Sequence, residues 1–271
     1  MRCIFCKEDS SKSKSIEHIV PESLGNKQHT LPKGVVCDAC NNYLAIKIEK
    51  RVLELAYFQS LRGRHHIENK KGKIPGLPGF FRNMNDKVSI FPDDSSVLEV
   101  VIENKELFDS ISSYKELYIP IIPEPPKDNL NLSKLIGKIA LEALALRLSN
   151  LEGWQDEFVK NEGLNQLRNF VRYGQGEFKI WPYNTRRIYD EVKIKFDAEK
   201  KIHYQLMNEF DFLIPDEPTL VGEQRIVTNL YFVIAIMGIE YTINMTNAGL
   251  DRYLSWILDN KNQSILYKEG K

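Results

Sequence analysis

Apolar residues along this chain fall into distinct spacings, and each spacing predicts a different element. Between Asp38 and Leu55 they recur at Leu44, Ile48, Val52 and Leu55, with Ala45 on the same face, close to the helical period. A longer stripe of Leu135, Ile136, Ile139, Ala140, Ala143, Leu144 and Leu148 predicts a core helix that Ser133 caps. Glu162 to Tyr173 reads as another helix ending near Gly174, with Arg168 and Arg172 on one face, suited to pairing with acids or to gripping a phosphate. Strict alternation takes over at Val192, Ile194 and Phe196, turns through Asp197-Ala198-Glu199-Lys200, and resumes at Ile202, Tyr204 and Leu206, which predicts a hairpin. A second hairpin is expected from Arg225 to Ile236, Met237-Gly238, and Glu240 to Met245, its first strand apolar enough to be buried on both faces. Val97 to Ile102 is a β-branched strand run, Ile119 to Pro126 is held extended by its prolines, and Tyr253 to Leu258 closes as a short helix.

Helical and strand patterns thus occur in separate runs, which predicts an α+β protein. Between them, Lys70-Lys71-Gly72-Lys73-Ile74-Pro75-Gly76-Leu77-Pro78-Gly79 reads as a linker that suits neither helix nor strand interior. The expected organisation is therefore an N-terminal unit over 1–68, a linker over 69–79, and a larger mixed α+β domain over 80–271. At 271 residues the chain is long enough to bury a sizeable core. Arg2, Lys7, Glu8 and Asp9 break up any secretory start, and the longest apolar run, Leu230 to Ile239, falls short of the ~20 residues a bilayer needs. A cytoplasmic location with no membrane partner is expected.

The formal net charge is zero, but it is unevenly spread. Residues 1–75 carry 14 Lys plus Arg against 8 Asp plus Glu, so the rest of the chain is acidic by the same excess. A basic start on an acidic body fits local phosphate binding, with Lys70, Lys71, Lys73 and the His65-His66 pair as candidate nucleic-acid contacts.

All four cysteines lie in that basic start, as Cys3-Ile4-Phe5-Cys6 and Cys37-Asp38-Ala39-Cys40. The pattern admits redox dithiols or a plain zinc ribbon. Two equal hooks with no further cysteine favour four thiolates around one Zn²⁺. A ribbon alone has no use for the stretch between the hooks, where Glu17 and His18 sit side by side, or for Asn41-Asn42 directly after the last cysteine. A carboxylate and an amide are ligands for a hard cation, and a neutral imidazole accepts a proton near pH 7. Phosphodiester hydrolysis requires both, because the substrate is anionic and its leaving alkoxide is poor. A zinc closed by four thiolates keeps no position for water, so it serves structure and not chemistry.

The ordered elements C-x2-C, Glu17-His18-Ile19-Val20-Pro21-Glu22-Ser23-Leu24-Gly25-Asn26 and C-x2-C-N-N resemble the zinc-containing HNH endonucleases, over roughly residues 3 to 49. The resemblance implies a ββα-metal unit in which His18 is the general base and Glu17 and Asn41 hold one divalent ion, Mg²⁺ or Mn²⁺, with Asn42 as the fallback ligand. It also implies a DNA substrate, nicked or cut through, with RNA as a second class, in a bacterial phage-defence or mobile-element setting. The bracing middle asparagine of that family has no clear counterpart: Asn26 lies early and His29-Thr30-Leu31-Pro32 offers Thr30. Glu49 reads as a solvated helix acid or a further ligand, and His29 as a surface residue. The rival reading is a non-catalytic zinc module that binds nucleic acid or protein. A homo-oligomer contact or a regulatory partner would fall to the C-terminal domain.

Overall fold

The structure is a computed structural model that describes residues 1–26, 28–69, 71–82, 87–92, 98–102, 104–110, 116–197, 199–221 and 224–267. In chain order its elements are β1 (Glu17–His18), β2 (Thr30–Leu31), α1 (Asp38–Leu44), α2 (Lys50–Leu53), α3 (Ala56–Arg64), β3 (Leu77–Phe81), β4 (Lys87–Pro92), β5 (Leu98–Val101), α4 (Lys105–Ser110) and β6 (Leu117–Tyr118). They continue with α5 (Leu130–Leu148), α6 (Trp154–Lys160), α7 (Asn165–Tyr173), β7 (Tyr183–Arg187), β8 (Ile194–Asp197), β9 (Ile202–Gln205), β10 (Asn208–Leu213), β11 (Thr219–Val221), β12 (Gln224–Ile226), β13 (Tyr231–Ile236), β14 (Ile239–Asn244) and α8 (Asp251–Asp259). The mixture is the α+β class read from the sequence. Among the described residues, no helix is long and apolar enough to cross a membrane.

Two compact units divide the chain, and they cut across the division expected at 69–79. One takes Met1–Pro21, Gly25–Lys50 and Lys127–Lys271; the other takes Glu22–Leu24 and Arg51–Pro126. The cysteine hooks therefore pack with the second half of the chain. The physical cause is α5, which is buried almost continuously from Leu132 to Ala143 and so around most of its circumference. That helix packs on β14, α7, β2 and the turn that follows α1. Gly137 permits the approach to α7, since a Cβ there would lie 2.8 Å from Val171 Cγ2 and 3.0 Å from Leu167 Cδ1. Asn129, and not Ser133, caps α5 by accepting from Leu132 N at 3.0 Å. Ser133 lies inside the helix and donates to Trp181 O at 2.6 Å.

Behind α5 stands an antiparallel sheet in the order β10-β13-β14-β7, with Phe232 opposite both Phe212 and Ile243. Both β13 and β14 are buried along their full length, as the unbroken apolar run predicted for the first of them. The strand expected from Arg225 is broken, however: β12 pairs with β11, and β13 begins only at Tyr231. The β8-β9 hairpin forms in the predicted place.

In the other unit, β5-β4-β3-β6 form an antiparallel sheet around Leu77, Phe81, Val88 and Ile90. Leu77-Pro78-Gly79, read as linker, is the first half of β3. Pro78 is tolerated because it pairs only with Ser89, while β6 meets β3 further on, at Phe80 and Phe81.

Candidate metal centre and acid cluster

The first hook turns through left-handed Lys7 and closes with Lys7 N donating to Cys3 O at 2.9 Å. The second hook is the start of α1, where Cys37 caps the helix and Cys40 sits in its first turn. This brings the four sulfurs within 4.8 Å of one another. Sulfurs at ~2.3 Å around a tetrahedral zinc stand about 3.8 Å apart. Cys6 Sγ and Cys37 Sγ lie 3.7 Å apart, and all four cysteines are free of disulfides, so the cluster fits a zinc site. Backbone N–H groups of Cys37 and Cys40 point at Cys3 Sγ and Cys37 Sγ, each at 3.4 Å.

The sulfurs crowd one another in a way that asks for a cation. A hydrogen bond with Cys40 lowers the Cys3 thiol to about 5, while burial pushes Cys6 up to about 11. Cys40 is driven far upward by Cys3 and by burial. Four thiolates this close repel one another unless a metal neutralises them.

Sequence reading missed what holds this cluster from behind. Arg172 Nε donates to Cys40 Sγ at 3.1 Å, and its guanidinium lies 4.2 Å from the Tyr43 ring centre. Arg168, fully buried, donates to Ile4 O at 2.7 Å and Phe158 O at 3.0 Å. Among the described residues, the two α7 arginines therefore pair with no acid, and their donors are turned to carbonyls and a thiol. They dock the hooks onto α6 and α7. Their spacing placed them on one face; nothing in the sequence named the carbonyl and thiolate they meet.

Between the hooks, β1 and β2 pair antiparallel, Glu17 opposite Leu31 and His18 opposite Thr30. Successive side chains leave a strand on opposite faces. Glu17 is accordingly buried and His18 half-buried. Asn41, in the first turn of α1, donates through Nδ2 to Ile16 O at 3.5 Å, while Asn42 is exposed. Asn26 supplies the brace that its early position concealed. Its Nδ2 donates to Val20 O at 2.8 Å and to His29 O at 3.0 Å, and its Oδ1 accepts from Gln28 N and His29 N. It ties the chain leaving His18 to the chain returning as β2. His29 is half-buried and meets Phe210 edge-on at 5.2 Å, at the rim of a cleft of about 540 Å³ that also takes in Asn26, Tyr204 and Asn208.

The expected helix from Asp38 widens into a π-helical turn over Ala45–Glu49 before α2 resumes. That extra residue re-aims Glu49. Glu49 is neither solvated nor paired with the asparagines; its Oε1 lies 2.8 Å from the Nζ of Lys138 on α5. The same ammonium, fully buried, lies 2.6 Å from Glu17 Oε1 and 3.0 Å from Glu142 Oε2, and donates to His18 O at 2.9 Å and Ile19 O at 3.3 Å. Burial pulls against its charge, but Glu142, Glu49 and Glu17 outweigh it and hold Lys138 well above the usual lysine range. Burial, aided by Glu17 and Glu49, pushes the Glu142 carboxyl well above the usual carboxylate range despite Lys138.

As a donor set, the carboxylate of Glu17 and the amide oxygen of Asn41 are hard ligands that suit Mg²⁺ or Mn²⁺. Lys138 engages Glu17 without exhausting it, because a carboxylate accepts through about four lone pairs. Glu17 and Glu49 alone outnumber the one ammonium, which leaves negative charge to be met.

Residues 3–54 match the HNH endonuclease family. The matched segment holds both hooks, β1 and β2, Asn26, Asn41 and Glu49, and stops before α3. No curated protein and no solved structure matches the chain. Of the basic candidates, Lys71 and Lys73 are exposed on a turn whose amides Asn69 Oδ1 receives, and His65 and His66 lie half-buried at the end of α3. Lys70 lies outside the described residues.

Proposed function

We propose that the chain is a metal-dependent HNH endonuclease that hydrolyses DNA phosphodiester bonds, with Zn²⁺ on Cys3, Cys6, Cys37 and Cys40 as a structural ion. The observation that carries this reading is the strand β1 itself: within the matched segment it sets Glu17 and His18 on opposite faces, with Asn41 bonded back to the residue before them. His18 takes the proton from water as its oxygen attacks phosphorus, and the bond from phosphorus to the leaving alkoxide breaks. Glu17 and Asn41, with Asn42 as fallback, are the residues that hold a divalent ion. When bound, that ion, Mg²⁺ or Mn²⁺, supplies charge neutralisation at the phosphate and leaving oxygen. Lys71 and Lys73 contact phosphates, and removing both lowers the log-affinity against log-salt slope by about two units. The family resemblance alone favours a phage-defence or mobile-element setting.

One observation favours the non-catalytic zinc module as a second reading: the Glu17 carboxylate already has a cation, Lys138. Incubation with supercoiled plasmid separates the two. Nicking or linearisation that needs added Mg²⁺ or Mn²⁺ and stops with EDTA supports the nuclease; intact plasmid under every metal leaves the binding module.

A further inference from the structure

Lysine is the costliest kind of residue to seal inside a helix face, since its charge loses water and must be met by the protein. At position 138 the cost is met lavishly. Five oxygens lie within 3.3 Å of one Nζ, three from carboxylates and two from backbone carbonyls, although an ammonium has only three protons to give. A leucine would continue the apolar stripe of α5 and pack the helix with no ion to bury. What leucine cannot do is hold β1. That strand is two residues long and, among the described residues, pairs only with β2, and its end is where the chain leaves the ladder. The carbonyls of His18 and Ile19, at that end, accept from Lys138, and the Glu17 carboxylate accepts from it on the inner face.

We infer that Lys138 is a positioning residue of the nuclease site: it fixes Glu17 by its carboxylate and the His18 backbone by its carbonyl. The site that begins in residues 3–54 is completed by a helix more than seventy residues beyond it. Glu142 and Glu49 orient the ammonium, one from the next turn of α5 and one from the π-helical turn. This inference rests on the nuclease reading.

The test uses the full chain, measuring plasmid cleavage under single turnover and DNA affinity separately. Lys138→Met is expected to lower the cleavage rate by ~10- to 100-fold, the usual worth of a supporting partner, with DNA affinity unchanged within about twofold. Should that variant fail to fold, Lys138→Met with Glu142→Leu removes the two ionisable groups that α5 buries completely and keeps the helix face apolar, leaving Glu17 and Glu49 as the acids that remain. Near-UV circular dichroism and zinc content matching the wild type establish that the variant is folded. Because Lys138 acts through Glu17, adding Glu17→Gln to the lysine variant costs little more, whereas alone it costs tenfold or so. A folded lysine variant that cleaves at the wild-type rate, or losses that simply multiply, overturns the inference and leaves the nuclease reading standing. A wild-type chain that cleaves nothing refutes the nuclease reading and this inference with it.

Discussion

His18 and Glu142 carry opposite kinds of prediction, because the proposed mechanism uses the first as its base and the second only lies buried beside Lys138. His18→Ala removes the proton acceptor and leaves the hooks untouched. Its cleavage rate is expected to fall ~10²- to 10⁴-fold while DNA binding and zinc content hold, as read by single-turnover assay and metal analysis. A His18→Ala chain cleaving at the wild-type rate rules out His18 as the base. For Glu142 the readout is stability against pH. Its carboxyl is raised in the folded chain, so folding binds a proton that the unfolded chain has already released once pH passes the ordinary glutamate value near 4.5. That contribution is present at low pH and is lost as pH rises through the raised value. Glu142→Gln, which keeps the neutral form at every pH, is therefore expected to melt like the wild type at pH 4 and higher than it at pH 8. A melting temperature below the wild type at pH 8 contradicts this.

At the scale of elements, the hooks and the loop between them depend on partners outside their own secondary structure. Arg172→Leu deletes the donor to Cys40 and the stack on Tyr43. Zinc affinity, measured by competition with a chromogenic chelator, is expected to weaken ~10- to 100-fold; equal affinity leaves Arg172 a mere packing residue. Asn26→Ala removes four hydrogen bonds from a buried loop. At about 1 kcal/mol each or somewhat less, chemical denaturation is expected to report a loss of about 2–4 kcal/mol, with cleavage falling as His18 loses its brace. Both residues were visible in the sequence only as letters. The Arg168 and Arg172 spacing gave a shared face, but a face does not say whether it meets an acid, a phosphate or a thiolate. Asn26 was out of step with the family pattern because the loop it closes folds back on itself, and such a contact has no sequence period.

For the whole molecule, the packing of α5 on β2 and the π-helical turn, and of the α7 arginines on the hooks, predicts that the N-terminal segment does not stand alone. A 1–68 fragment lacks Lys138, Arg168 and Arg172, and leaves Glu17 and Glu49 buried without their cation. It is expected to lose cleavage and to release zinc to a chelator that leaves the full chain loaded; a fragment as active as the full chain overturns that dependence. By itself the sequence determined whatever depends on local spacing: the two cysteine hooks, the Glu17-His18 pair, the helical stripe from Leu135, the β8-β9 hairpin and the buried strand at β13. These are legible because thiolate pairs, turn chemistry and the periods of helix and strand repeat over a few residues. Only the tertiary structure decided where the cation of the acid cluster comes from, which way Glu49 turns, and that the hooks pack with the second half of the chain. Lys138 stands 121 residues after Glu17, and an ion pair at that separation leaves no trace in any periodicity, because it is made by the packing of α5 and not by the residues beside either partner.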